Sequence, residues 1–216
     1  MVSVRNLRLL QLALVSSFLI LGSSVHATKL VSDSSDVSTQ TFSQQELNKI
    51  VAEELVVNSP ISSPGDMESF LAQHSVIRKE LSKYNVTGYS SCLDGNFAFF
   101  FNRQNPVFWV NFKDDSGTVM SKRYQAAIWS FGLKFELAFK LDFIFLVNTD
   151  SCFYNIEKPI NLSCGVDVNA SFGLGFTFTY VPFADVSGGM IIIGVPITPS
   201  ILSYSIVTGG SLTPLA

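Results

Sequence analysis

Residues 131–147 read FGLKFELAFKLDFIFLV. Every odd-numbered position in this stretch is apolar, whereas Lys134, Glu136, Lys140 and Asp142 stand at even-numbered positions. Successive side chains of a β-strand point to opposite faces of the sheet. The stretch therefore predicts one long strand, or two strands meeting at a bend, with one apolar and one polar face.

Alternation of period two extends over residues 88–216. It recurs at 172–180, where Phe172, Phe176 and Tyr180 are interleaved with Gly and Thr. The Asp114–Gly117 segment, Asp-Asp-Ser-Gly, has the composition of a hairpin turn. We expect about eight strands in a mainly antiparallel, curved sheet or small barrel. Besides 131–147 and 172–180, the expected strands are 97–102, 107–113, 118–124, 163–169, 190–195 and 201–207.

Upstream of the strands, residues 43–84 predict two amphipathic helices. Ser43 followed by Glu46 is a capping-box pattern, and Pro64 after Ser63 suits the start of a second helix. The apolar residues recur at helical spacing, as Leu47, Ile50, Val51 and Leu55 and then, less regularly, Met67, Phe70, Leu71, Ile77 and Leu81. The predicted fold class is therefore α+β, with two N-terminal helices packed on the sheet.

The N-terminus is typical of a secretory signal peptide over residues 1–27. Arg5 and Arg8 precede the apolar run 9–21, and Val-His-Ala at 25–27 matches a cleavage site. The apolar run is shorter than the ~20 residues that a membrane-spanning helix needs. We expect export to the cell exterior or the periplasm. Residues 28–42, rich in Ser, Thr and Asp, predict a flexible lead-in.

Export permits disulfides and, in a eukaryote, glycosylation. Of the three cysteines, Cys152 and Cys164 flank a plausible turn at 157–159 and are the expected disulfide pair. Cys92 would then be buried and free, or joined to another chain. The candidate glycosylation sites are the three Asn-X-Ser/Thr triplets at Asn85, Asn161 and Asn169.

Few residues are suited to catalysis or metal binding. Cleavage would leave His74 as the only histidine, and a single helical histidine is usually a surface residue. Asp114 and Asp115 suit a turn, and the charges of the 131–147 stretch can pair with one another. We expect no enzyme activity, no cofactor and no metal. A net charge of −3 also argues against a nucleic-acid partner.

The last 58 residues, 159–216, contain no Lys or Arg, and their only acids are Asp167 and Asp185. Exposed strand edges usually carry charge, which discourages pairing with other chains. These strands must therefore lie inside a sheet, be covered by the helices, pair with another molecule or contact lipid. A homo-oligomer formed through them is one expectation.

These features favour an exported, non-catalytic protein that binds an apolar small molecule or a protein partner. The eleven phenylalanines from Phe97 to Phe145 would fill a core or line a pocket. One alternative is a small β-barrel in a bacterial outer membrane, whose lipid-facing surface would be the odd-numbered face of 131–147. Membrane association therefore remains open. A third hypothesis is an enzyme of unfamiliar type that uses carboxylates or Cys92.

Overall fold

A computed structural model of the protein describes residues 39–58, 79, 81–98, 101–133, 136–169, 176–196 and 203–216. Within them the chain is mostly β. One α-helix, α1, spans Gln44–Asn58, and a short 3-10 helix spans Ser151–Asn155. The strands are β1 (Thr39–Gln40), β2 (Val86–Ala98), β3 (Phe101–Gln104), β4 (Val107–Asp114), β5 (Val119–Leu133), β6 (Glu136–Val147), β7 (Ile160–Leu162), β8 (Gly165–Asn169), β9 (Thr177–Pro182), β10 (Gly189–Pro196) and β11 (Ser203–Pro214).

Eight of these strands form a nearly closed antiparallel barrel. Their order around the ring is β4, β2, β6, β10, β9, β8, β11 and β5, and β5 pairs back onto β4. The seam between β2 and β4 is short, with Gly88 opposite Phe112 and Tyr89 opposite Asn111. A Cβ on residue 88 would approach Val110 Cγ1 to 2.8 Å, so glycine allows the close approach there.

The longest hairpin joins β3 and β4 to β5. β3 and β4 lie in line against β5, from Phe101 opposite Phe131 to Lys113 opposite Val119. The predicted turn at Asp114–Gly117 is confirmed, because Asp114 Oδ1 accepts hydrogen bonds from the Ser116 and Thr118 amides at 2.9 and 2.8 Å. Gly117 has a φ of 84°, which glycine adopts without strain.

The inside of the barrel is apolar towards the end that carries this turn. The 3-10 helix closes that end, where Phe153 stacks on Phe183 with ring centroids 5.3 Å apart. The buried inner side chains form one cluster. It comprises Phe108, Val110, Phe112, Tyr124, Ala126, Ile128, Ile144, Leu146, Phe153, Ile160, Leu162, Val181, Phe183, Met190, Ile192, Val207 and Leu212.

A second apolar cluster lies outside the barrel, on the outward side of β6 and β10, which we call the covered wall. The residues that cover it are Phe42, Leu47 of α1 and Leu81, while Ile50 and Val51 pack against its edge. The predicted capping box of α1 is confirmed, because the Ser43 amide donates to Glu46 Oε2 at 2.8 Å and the Glu46 amide to Ser43 Oγ at 3.3 Å. The strand side chains of this cluster are Val86, Leu141, Phe143, Phe145, Val147, Ile191, Ile193 and Val195.

The predicted α+β class with two N-terminal helices is wrong. The described residues contain one complete α-helix beside a mostly β chain. Residues 59–78 of the second expected helix lie outside the described residues, and Lys79 and Leu81 near its end are helical. The physical reason for the correction is that a sheet that closes on itself buries its inner face without a helical layer.

The alternating stretch 131–147 forms two strands, because β5 ends at Leu133 and β6 begins at Glu136.

The C-terminal third, which carries few charges, forms strands that lie inside the sheet. Its strands β9, β10 and β11 are each paired on both sides. Of the four expectations for this segment, the structure therefore shows two: the strands lie inside a sheet, and α1 with its flanking residues covers the outward side of β10.

Candidate functional site

The first candidate site is a polar patch inside the barrel, at the end away from the β4–β5 turn. β6 places Lys140 and Asp142 on its inner side, and β9 contributes Thr177 and Thr179. Lys140 is only 4% exposed, and both threonines are buried. Gln104 of β3 and Ser130 of β5 complete the polar lining. The predicted polar face of β6 thus points into the barrel.

This polar patch encloses little free space. The cavity between its side chains has a volume of about 20 Å³, which is room for about one water molecule. Gly194 creates part of that space, because a Cβ on residue 194 would lie 2.6 Å from Asp142 Oδ1. The Gly194 amide donates to Thr177 Oγ1 at 3.2 Å. An apolar small molecule does not fit this cavity.

Cys92 lies beside the polar patch, because β2 places it directly opposite Asp142. Burial raises the pKa of the Cys92 thiol to about 12, and the charges of Asp142 and Asp94 act in the same direction. The thiol therefore stays protonated at neutral pH, whereas the thiolate is the nucleophilic form. This environment does not suit Cys92 to the role of nucleophile.

The other acids that the sequence singled out are not brought together. Asp114 lies in the β4–β5 turn, where hydrogen bonds, first from the Ser116 hydroxyl, lower the pKa of its carboxyl group. Asp115 is exposed in the same turn. Lys134 and His74 lie outside the described residues, as does the side chain of Glu136.

The predicted modification sites stay predictions. Cys164 is exposed and has a free thiol, with its Sγ 3.7 Å from the Thr208 carbonyl oxygen, but the side chain of Cys152 lies outside the described residues. Asn85 and Asn161 are exposed, and the side chain of Asn169 is not described. Residues 1–38, with the predicted signal peptide and most of the lead-in, also lie outside the described residues.

The second candidate site is the outward side of β3, β4, β5 and β11, which we call the open wall. Phe101 of β3, Phe131 of β5 and Ile206 of β11 are direct neighbours in register across three strands. Phe101 is 62% exposed and Phe131 59% exposed. The large apolar side chains that the open wall exposes are Phe101, Val107, Trp109, Val119, Trp129, Phe131 and Ile206.

The open wall is basic as well as apolar. Its charged outward side chains are Arg103, Lys113 and Arg123. Lys113 donates to Glu46 Oε1 at 2.7 Å. Arg103 and Arg123 are exposed, and no described carboxylate forms an ion pair with either. On β3, β4, β5 and β11 the only acidic residue is Asp114, which ends β4 at the turn. A basic, apolar surface therefore stands on a chain of net charge −3.

The open wall was not predicted from the sequence. The apolar odd-numbered positions were evident from alternation, but alternation does not show whether a face is covered. One local signal was present. Along the sequence, Arg103, Trp109, Arg123 and Trp129 follow one another as basic and aromatic residues, and all four lie on the outward faces of their strands. Combined with the predicted hairpin, it could have located the open wall.

Comparison with protein-family models, with curated proteins and with solved structures finds no match. In the described part of the chain, no group of three His, Cys, Asp or Glu side chains is placed to hold a metal ion. No helix among the described residues is long and apolar enough to cross a membrane.

Proposed function

We propose that this is an exported, non-catalytic protein that acts by binding a partner on the open wall. The partner presents an apolar surface with negative charge, complementary to the exposed aromatic side chains and to Arg103 and Arg123. The observation that carries the proposal is the contiguous row of exposed Phe101, Phe131 and Ile206 across three strands. Contiguous exposed apolar surface of this kind is typical of interaction sites.

The inside of the barrel supports a surface site over an internal one. Among the described residues, the apolar end is filled with side chains, and the cavity beside Lys140 and Asp142 has room for about one water molecule. A membrane-spanning barrel would instead have a polar lumen and an apolar outer band. Here the described inner side chains are mostly apolar, and Arg103 and Arg123 lie on the outside. Both features favour a binding protein over the outer-membrane alternative.

Photo-crosslinking in the cells that produce the protein tests this function. A photoreactive benzoylphenylalanine replaces Phe131 on the open wall or, as the control, Ser82, which is exposed next to Leu81 of the covered wall. We expect an adduct, with protein or with lipid, from position 131 and none from position 82. The purified chain must then bind the crosslinked molecule, and Phe101→Ser with Phe131→Ser must abolish that binding without unfolding the protein. Equal adducts from both positions, or none from either, would contradict the proposal.

A further inference from the structure

We infer that the partner of the open wall is the surface of an anionic lipid bilayer; this inference rests on the proposed function. It is carried by the arrangement of aromatic and basic side chains along the hairpin formed by β3, β4 and β5. The chain contains two tryptophans, and both are exposed on the open wall, Trp109 by 58% and Trp129 by 46%.

Each tryptophan stands directly opposite an arginine. Trp129 of β5 faces Arg103 of β3, and Trp109 of β4 faces Arg123 of β5. Side chains directly opposite each other in an antiparallel pair have Cβ atoms about 5 Å apart. Tryptophan favours the boundary between lipid chains and headgroups, and arginine binds phosphate groups in a bidentate manner. Each Trp–Arg pair therefore suits the headgroup region of a bilayer.

The apolar side chains stand next to the first of these pairs. Phe101, Phe131 and Ile206 form a row two residues along the strands from Arg103 and Trp129, a separation of about 7 Å. An apolar face that lies on a bilayer is buried about 5–10 Å into the boundary between headgroups and lipid chains. With the open wall facing the bilayer, the row enters that boundary while the long side chain of Arg103 reaches the phosphates.

The charge of the open wall favours an anionic partner. A purely apolar partner would bury Arg103 and Arg123 without a counter-charge, which is costly. Basic side chains near an anionic membrane each strengthen binding roughly fivefold. The rest of the chain is acidic enough to make its net charge −3. Attraction to an anionic surface would therefore orient the molecule with the open wall towards that surface.

The test is vesicle binding by the full chain, followed by tryptophan fluorescence. Residues 1–27 contain no tryptophan, so the emission reports the open wall rather than the N-terminal apolar run. The vesicles are phosphatidylcholine alone or phosphatidylcholine mixed with phosphatidylglycerol. We expect the anionic vesicles to shift the emission to shorter wavelength and to shield both tryptophans from iodide, with a much smaller effect of the neutral vesicles.

Two double variants with the same change of charge make the result specific. Arg103→Gln with Arg123→Gln should weaken binding to the anionic vesicles by about tenfold or more. Lys49→Gln with Lys158→Gln removes two exposed positive charges away from the open wall and should leave the affinity unchanged. Circular dichroism checks that both variants are folded. Equal losses in the two variants, or no emission shift with anionic vesicles, would overturn the bilayer inference.

The crosslinking experiment separates failure of this inference from failure of the proposed function. If no vesicle shifts the emission but position 131 crosslinks to an acidic protein that binds the purified chain, the binding function stands and the bilayer inference is wrong. If position 131 yields no adduct and no vesicle binds, both are wrong.

Discussion

The covered wall and the open wall are two outer surfaces of one barrel. Both consist of alternating apolar side chains, but other residues pack over only one of them. Phe143 on the covered wall is 2% exposed, whereas Phe131 on the open wall is 59% exposed. Both are odd-numbered residues of the single alternating stretch 131–147. The difference between them is that Phe42, Leu47 and Leu81 pack over the wall of β6 and β10.

This difference shows that apolar periodicity specifies the face on which a side chain lies but not what covers that face. Among the described residues, α1 and its flanking residues cover the wall of β6 and β10, and the open wall is exposed. The open wall thus keeps exposed aromatic side chains that elsewhere would be buried at a gain of about 25 cal/mol per Å². We interpret that retained exposure as a requirement of binding.

The largest expected effect comes from truncating matched phenylalanines. Phe143→Ala should lower the free energy of unfolding by about 3–5 kcal/mol, because it leaves a cavity under the covered wall. Phe131→Ala should lower it by less than about 1 kcal/mol, because the side chain is mostly in solvent. Urea denaturation of both variants measures the contrast. Similar losses would mean that the open wall is covered in solution.

The second prediction concerns the residues that cover the wall. Leu47 of α1 is 3% exposed and belongs to the covered cluster. Leu47→Ala should cost about 2–3 kcal/mol in the free energy of unfolding. Lys49→Ala, at an exposed position of the same helix, should cost less than about 0.5 kcal/mol. An equally small loss for both would show that α1 does not pack on the barrel.

The third prediction extends the comparison to the inside of the barrel through the two described thiols. Cys92 faces the interior with its pKa raised to about 12 by burial, whereas Cys164 is exposed beside Thr208 of β11. In a Cys152→Ala background under reducing conditions, iodoacetamide at pH 8 should alkylate Cys164 at least about tenfold faster than Cys92. Peptide mass analysis over time gives both rates. Faster alkylation of Cys92 would place it outside the barrel.

The smallest expected effect concerns the ion pair that links α1 to β4. The hydrogen bond from Lys113, followed by those from Ser43, lowers the pKa of Glu46 from 4.5 to about 2. Its carboxylate therefore stabilises the fold above about pH 4.5, and the contribution is lost as the pH falls towards about 2. Because Glu46 is 42% exposed, solvent screening limits the contribution to about 0.5–1 kcal/mol.

Denaturation of the Glu46→Gln variant between pH 2 and pH 7 measures this contribution. The variant should be less stable than the native protein at pH 7 and should equal it near pH 2. Glu53→Gln is the control. The Glu53 carboxylate is more exposed, and its Oε1 lies 3.7 Å from Lys49 Nζ on the same helix, so its removal should change the stability less. A difference that grew as the pH fell would have the wrong sign for a lowered pKa.

Local features of the fold were predictable from short-range chemistry. The capping box at Ser43 and Glu46 and the turn at Asp114–Gly117 depend on residues within four positions of one another. The strands β4, β8 and β10 follow the predicted ranges closely. The α+β class was predicted because the alternation was interpreted without knowing that the sheet closes on itself; residues 59–78 of the second expected helix lie outside the described residues.

The polar patch was less predictable than the open wall, since it combines strands that are distant in sequence, whereas β3, β4 and β5 of the open wall follow one another along the chain. Asp142 lies opposite Cys92 on one neighbouring strand and opposite Gly194 on the other. Both residues are far from Asp142 in the sequence, so no local pattern predicts either pairing. Alternation placed Lys140 and Asp142 on the polar face of their strand, and we expected their charges to pair. That this polar face points into the barrel depends on how the sheet closes.

By itself, the sequence determined that the chain is rich in strands, which residues share a face of each strand, and where one tight turn and one helix begin. These properties follow from backbone periodicity and from hydrogen bonds between near neighbours. Only the tertiary structure decided that β5 pairs back onto β4, that Lys140 lies inside, and that one outer wall is covered while Trp109 and Trp129 stay exposed. Each of those outcomes depends on contacts between distant segments, which local side-chain preferences do not encode.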